Sequence, residues 1–104
     1  MLLAVDIGNT NLTLGIVEDG VIEGVRRAAT HRATTTDELE ILLRDLLALD
    51  EHGLHGITAI GIASVVPAMT ALVEEVAARL GIPALVATAG TVPIAIRIDE
   101  AIPR

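Results

Sequence analysis

Apolar residues fall into short runs along the chain, and polar turns separate these runs. The apolar run 2–6 predicts a buried strand, and the alternating stretch 12–18 predicts a second strand. Asp19-Gly20 follows the second strand and is typical of a two-residue type I′ turn, in which both central residues have positive φ. Residues 21–28 then return as a third strand. The first part of the sequence therefore predicts a three-strand meander.

The remainder of the chain alternates helical and extended patterns. Thr35 and Glu38 have the spacing of a capping box, and leucines at helical intervals over 39–47 predict a helix with one apolar face. Pro67 and Gly81 mark the first turn and the end of a second helix. Further strands are predicted over 57–64, 83–88 and 94–98. This order predicts an α/β fold with a mixed sheet, which combines an antiparallel meander with parallel strands and flanking helices.

Composition narrows the function classes. The 104 residues are enough for one domain with its own core, and 52% of them are apolar, but none is Phe, Tyr or Trp. The net charge of -7 disfavours nucleic acid as a partner, because binding a phosphate backbone requires an excess of Lys and Arg. No apolar run is long enough for a membrane span, and cysteine is absent. We expect a soluble cytoplasmic protein with no membrane association.

Positive charge is concentrated in one short region. Arg26, Arg27 and Arg32 form the only local cluster of basic residues. Arg26 and Arg27 are neighbours in a predicted strand, so their side chains point to opposite faces and at most one of them would reach a given anion.

The turn after the first strand has two interpretations. Gly8-Asn9-Thr10-Asn11 consists of residues common in tight turns, so it could be a simple connection. However, Asp6 ends a buried strand, where an ionised carboxylate needs a partner or a metal ion. Backbone N–H groups in such a turn can bind phosphate oxygens, and a carboxylate beside them is suited to Mg²⁺ that is shared with those phosphates. The second interpretation is a phosphate-binding loop.

Four segments resemble one protein family. Asp6-Ile7-Gly8-Asn9-Thr10-Asn11 resembles the first phosphate motif of the type III pantothenate kinases, which belong to the acetate and sugar kinase, Hsp70 and actin superfamily. Thr35-Thr36-Asp37-Glu38 is similar to the family's T-x-D-E helix start, and Ala63-Ser64-Val65-Val66-Pro67 to its S-S-V-V-P turn. Residues 90–98 resemble the stretch that leads to its I-R-Y-D-N-P segment. The resemblance covers essentially the whole chain.

The resemblance implies a ribonuclease-H-like half domain over residues 1–104, the first of two halves that enclose ATP. It implies ATP with Mg²⁺ and a monovalent cation (K⁺ or NH₄⁺). We also expect a homo-oligomer, specifically a homodimer, because the sheet and helix edges left bare by the missing half favour self-association. Asp6 would organise the metal. The implied phosphate-binding residues are Asp6, Ile7, Gly8, Asn9, Thr10, Asn11, Leu12 and Thr13.

The implied reaction is transfer of the ATP γ-phosphate to pantothenate, the first step of coenzyme A biosynthesis. In the family, the catalytic base and the pantothenate contacts lie in a segment that would follow Arg104. We therefore expect no catalytic base in this chain, no turnover by the isolated chain, and pantothenate binding only with a second half. Ile98 stands where the family usually has Tyr, and Asp99-Glu100-Ala101 replaces Asp-Asn-Pro, which leaves the acceptor open.

Two other classes of protein remain open. The chain could be a non-catalytic, actin-like module that self-associates or acts through a protein partner. It could also be half of another sugar or acetate kinase, although the S-V-V-P turn and the T-x-D-E start disfavour this.

The remaining polar residues receive structural interpretations. His31, His52 and His55 are expected at the surface, and a substrate contact is the alternative for His31. Ser64 is expected to cap the second helix, and a side chain that faces the cleft is the alternative. Glu74, Glu75 and Arg79 are expected to form a solvated helix face.

Overall fold

The computed structural model describes residues 1–87, which form five strands and two helices. The elements are β1 (Leu2–Ile7), β2 (Asn11–Glu18), β3 (Val21–Ala29), α1 (Thr36–Ala48), β4 (Ala59–Ser64), α2 (Pro67–Leu80) and β5 (Ala84–Val86), with a short 3₁₀ turn at Leu54–Gly56. The strand predicted over 94–98 lies outside the described residues. No helix within residues 1–87 is both long and apolar enough to cross a membrane.

The five strands form one mixed sheet in the order β3-β2-β1-β4-β5. β1 pairs antiparallel with β2 and parallel with β4, so the predicted combination of a meander and parallel strands is confirmed. Asp19 and Gly20 join β2 to β3 with φ values of 51° and 79°. Both values are positive, as the type I′ turn predicted from the sequence requires.

Both helices pack on one face of the sheet. β1 and β2 alternate their side chains between the two faces, and Leu3, Val5 and Ile7 point toward the helices. On α1, the buried residues are Leu39, Leu43 and Leu47 together with Thr36, as the helical spacing of the leucines predicts. The core is built almost entirely from Leu, Ile and Val, and it fixes the position at which β1 ends.

The two helices begin in different ways. At α1, the Thr35 hydroxyl accepts a hydrogen bond from the Glu38 N–H at 3.1 Å, and the Glu38 carboxylate accepts one from the Thr35 N–H at 3.2 Å. This is the predicted capping box. At α2, Val66 is the N-cap residue and no side chain caps the helix, so the prediction for Ser64 is wrong. The Ser64 hydroxyl instead accepts a hydrogen bond from the Val66 N–H at 3.0 Å, which stabilises the turn before the helix.

The helices are linked by polar contacts. Arg79 on α2 contacts Asp37 at 2.7 Å and Glu40 at 3.5 Å on α1. The Thr36 hydroxyl donates a hydrogen bond to the carboxylate of Glu75. Glu74, Glu75 and Arg79 are exposed, so the expected solvated helix face is confirmed, and two of these side chains, Glu75 and Arg79, also join α2 to α1.

Candidate phosphate-binding site

The polar turns found in the sequence meet at one edge of the sheet. β1 is parallel to β4, and β3 runs in the same direction because both β1 and β3 are antiparallel to β2. The carboxyl ends of these three strands therefore lie at the same edge. In open α/β sheets this is the edge at which ligands bind.

The loop between β1 and β2 is closed by its own backbone. The Gly8 N–H donates a hydrogen bond to the Asn11 carbonyl at 2.8 Å. A Cβ at Gly8 would lie 3.3 Å from that same oxygen, which is closer than most Cβ atoms approach a neighbour. Glycine at this position therefore allows the loop to close on itself without crowding the Asn11 carbonyl.

A second segment braces the loop. The Thr30 hydroxyl donates to the Gly8 carbonyl at 2.9 Å, and the Thr30 N–H donates to the Thr10 carbonyl at 2.8 Å. Two residues further along, Arg32 donates a hydrogen bond to the side-chain oxygen of Asn9. The connection between β3 and α1 thus holds both the backbone and a side chain of the loop.

A third segment contacts β1 from the other side. The Val65 N–H donates to the Ile7 carbonyl at 3.1 Å, which extends the parallel pairing of β1 with β4 by one residue. The loop after β1 is therefore flanked by the turns that follow β3 and β4.

Asp6 lies at the base of the loop and is half-buried. It is paired in register with Thr13 on β2 and with Ala63 on β4. Residues paired in this way share a face of the sheet, so the Asp6 carboxylate and the Thr13 hydroxyl lie on the face opposite the helices. Arg27 is in turn the partner of Thr13 on β3. Asp6, Thr13 and Arg27 thus form a row across three strands.

The eight candidate residues differ in exposure: Asp6 and Gly8 are half-buried and Thr13 is only 7% exposed. Ile7 and Leu12 are each only 1% exposed and belong to the core, so their side chains are directed away from any ligand and only their backbone groups could contribute. Asn9, Thr10 and Asn11 are exposed at the loop tip.

The carboxylate content of the site limits the kind of metal ion that it could hold. No group of three or more His, Cys, Asp or Glu side chains within residues 1–87 is arranged to bind a metal. A closed protein cage is therefore not formed by this part of the chain. Asp6, with hydroxyl and amide groups nearby, fits Mg²⁺ instead, which commonly uses one or two carboxylates together with substrate phosphates and water.

Other candidate side chains lie outside this site. His31 is exposed and, with Ala33, Thr34, Glu38 and Leu42, lines a shallow pocket of about 450 Å³. The carboxylate of Glu38 is already engaged by the cap of α1. His55 is exposed in the 3₁₀ turn, and His52 is half-buried just before it, so His52 is less exposed than expected.

An ion pair between β3 and the segment after α1 also lies outside the loop. Arg26 contacts the two oxygens of Asp50 at 3.0 and 2.8 Å. The hydrogen bond from Arg26 holds the pKa of Asp50 below its ordinary value. This pair connects β3 to the end of α1 and is not part of the candidate site.

Solved structures of other proteins share this fold. YeaZ from Pseudomonas aeruginosa superposes with a TM-score of 0.61 at 20% identity, over 84% of this chain and 44% of YeaZ. The Lmo2764 protein from Listeria monocytogenes gives a TM-score of 0.55 at 19% identity, over 82% of this chain and 34% of that protein. The described residues therefore have a ribonuclease-H-like fold, as the sequence predicts.

Sequence relatives identify the family within that fold. The family model for type III pantothenate kinase matches residues 2–104. The type III pantothenate kinase of Rhizorhabdus wittichii is 40% identical over 100 residues, which are 95% of this chain and 38% of the relative. That of Geobacter sulfurreducens is 44% identical over 75 residues, which are 72% of this chain and 29% of the relative. The chain belongs to the type III pantothenate kinase family, and it spans about a third of the length of these relatives.

Sequence reasoning missed the role of the segment after β3. Thr30 was not a candidate, and Arg32 was noted only as part of a basic cluster. The signal that could have revealed them is topological, because the end of β3 in a three-strand meander lies at the same edge as the end of β1.

Proposed function

We propose that this chain supplies the ATP-phosphate-binding part of a pantothenate kinase. The observation that supports the proposal is the Gly8-centred loop beside Asp6, braced by Thr30 at the carboxyl edge of the sheet. The family match over residues 2–104 supports the assignment of the nucleotide as ATP and of the acceptor as pantothenate.

Each residue of the loop has a defined role in this proposal. Asp6 orients Mg²⁺, directly or through water. Gly8 permits the close approach of a phosphate, and the amides and hydroxyls of Asn9, Thr10, Asn11 and Thr13 donate hydrogen bonds to phosphate oxygens. Bound Mg²⁺ supplies charge neutralisation on the phosphates, which is a major part of phosphoryl-transfer catalysis. Ile7 and Leu12 contribute through their backbone.

The complete reaction requires more than these residues. In the proposal, residues 1–104 form one domain, and a second half supplies the catalytic base and the pantothenate contacts. The isolated chain is therefore inactive. A requirement for K⁺ or NH₄⁺, assembly as a homodimer and location in the cytoplasm stay predictions from the sequence. So does the acceptor, since Ile98 differs from the family pattern.

Nucleotide titration followed by amide NMR tests the binding role. Addition of MgATP to the 104-residue chain is expected to shift the resonances of residues 6–13 selectively, and Asp6→Asn is expected to weaken this response. Asp45→Asn is the matched control, because Asp45 is an exposed carboxylate on α1. A binding response that is equal in all three proteins would refute the role of Asp6. No response at millimolar nucleotide would refute phosphate binding by this chain alone.

A second experiment separates the kinase from a non-catalytic module. The chain is mixed with the remaining part of a family relative, and ATP-dependent phosphorylation of pantothenate is measured. Activity in the mixture but in neither part supports the kinase. A stable oligomer in sedimentation without nucleotide, together with no activity in the mixture, supports the self-associating module instead.

A further inference from the structure

The distribution of positive charge points to a residue beyond the Gly8 loop. The sequence has no lysine, so its seven basic residues are all arginines, and five of them lie within residues 1–87. Three of these five contact carboxylates: Arg26 with Asp50, Arg44 with Asp45, and Arg79 with Asp37 and Glu40.

The other two arginines flank the candidate site. Within residues 1–87, neither Arg27 nor Arg32 has a carboxylate partner. Arg27 lies in the row of Asp6 and Thr13, two strands from Asp6, which corresponds to about 10 Å between the strands. Arg32 is nearer to the loop, because it donates a hydrogen bond to Asn9 at the loop tip.

Both the backbone and the side chain of Arg32 are held next to the Gly8 loop. Its backbone follows Thr30 by two residues, and Thr30 is anchored to the loop by both its hydroxyl and its N–H. Its guanidinium is exposed, and one of its terminal nitrogens bonds to Asn9. A guanidinium has five N–H donors, so the contact with Asn9 leaves others directed to solvent beside the loop.

The chemistry of the loop creates a need for such a cation. A nucleotide polyphosphate is strongly anionic, and Asp6 adds another negative charge at the base of the site. Residues 1–25 contain no basic side chain, and the net charge of the chain is -7. Arginine is well suited to this position, because its planar fork binds phosphate through two hydrogen bonds and retains its charge at every physiological pH.

We propose that Arg32 binds the polyphosphate group of the nucleotide, with the Asn9 side chain orienting its guanidinium. This inference rests on the proposed function, because it assigns a further contact to the same site. It differs from a purely structural role, in which Arg32 would only connect the two loops.

The test compares substitutions at Arg32 in the 104-residue chain. MgATP and AMP are titrated into the wild type, Arg32→Gln and Arg32→Lys, with Arg44→Gln as the matched control on the exposed face of α1. Arg32→Gln is expected to weaken MgATP binding by about tenfold or more, as for the loss of a hydrogen bond to a charged group, with little effect on AMP. Arg32→Lys is expected to give an intermediate loss, and Arg44→Gln none.

A spectroscopic measurement distinguishes contact from indirect support. The side-chain Nε–H resonance of Arg32 in the wild type is expected to shift on addition of MgATP and to shift much less with AMP. A structural role would predict changes in the resonances of residues 8–11 in the nucleotide-free variant, with the preference for ATP over AMP retained. This measurement needs no variant, so it holds even where a substitution disturbs folding.

The outcomes also separate this inference from the proposed function. If MgATP shifts the resonances of residues 6–13 in the wild type and Arg32→Gln binds MgATP with the same affinity and the same preference over AMP, Arg32 is not a phosphate contact. The proposal that residues 6–13 bind phosphate is then retained. If the wild type gives no response to MgATP, both proposals fail for this chain.

Discussion

The hydrogen bond from Thr30 to Gly8 offers a direct test of how the loop is held. Thr30→Val removes the hydroxyl but retains the branched shape of the side chain and the backbone N–H that donates to Thr10. The lost bond measures 2.9 Å, lies in a partly buried position and leaves the Gly8 carbonyl without that donor. A net hydrogen bond contributes about 0.5–1.5 kcal/mol, so we expect the free energy of unfolding to fall by about 1 kcal/mol.

The expected change is large enough to measure in a domain of this size. A loss of about 1 kcal/mol lowers the Tm by about 4–8 °C. Because the chain has no Trp or Tyr, urea and thermal unfolding are best followed by far-UV circular dichroism. Amide NMR of the folded protein adds a local measure, and the resonances of residues 8–11 are expected to shift in the variant.

Thr34→Val is the matched control. Thr34 lies in the same connection, and its described hydrogen bond is made by its backbone N–H, which donates to His31. This substitution therefore removes a hydroxyl without removing a bond from the loop. If Thr30→Val were as stable as Thr34→Val, with unchanged resonances at residues 8–11, the argument that Thr30 braces the loop would be refuted.

Three further substitutions test other parts of the fold by the same unfolding measurements. Thr35→Ala removes the capping box and is expected to lower the free energy of unfolding by about 1 kcal/mol. An unchanged stability would contradict the role of this cap. Leu43→Ala creates a cavity at a fully buried position (0% exposed) and is expected to lower the free energy of unfolding by about 2–5 kcal/mol. Ile41, on the same helix, is 48% exposed, so Ile41→Ala is the control and is expected to lower it by about 0.5 kcal/mol or less. Because Arg26 lowers the pKa of Asp50, the stabilisation that this pair provides is present above the ordinary pKa of 3.8 and is lost as the pH falls through the lowered pKa. Asp50→Asn is expected to destabilise the protein at neutral pH and to flatten this part of the acid dependence, and an unchanged pH profile would count against the ion pair.

Local signals in the sequence were sufficient to predict the five strands and two α-helices that the structure describes, although not the 3₁₀ turn at Leu54–Gly56. The positive φ at Asp19 and Gly20, the cap at Thr35 and the end of α2 at Gly81 depend on residues within a few positions of each other. The alternation of apolar residues that predicted β2 is also a signal between residues that are close in the sequence. Such features follow from backbone preferences and from the period of the pattern.

Features that depend on residues far apart in the sequence were harder to predict from the sequence. Ser64 stands before a helix and is a common capping type, but the chain turns two residues later and Val66 takes the cap position. The contacts of Glu75 and Arg79 require the relative placement of two helices, which helical spacing alone does not give. The sequence indicated the loop at residues 8–11 but not its brace, because Thr30 is 22 positions from Gly8.

The connection between β3 and α1 is fixed at both ends, and this has a consequence for how its length can vary. Thr30 is bonded to the loop at its start, and Thr35 is bonded to the first turn of α1 at its end. Surface connections usually tolerate insertions and deletions. Here a single added or removed residue would displace Arg32 from Asn9 or disrupt the helix cap. Natural variation in this connection is therefore expected to take the form of substitutions at constant length.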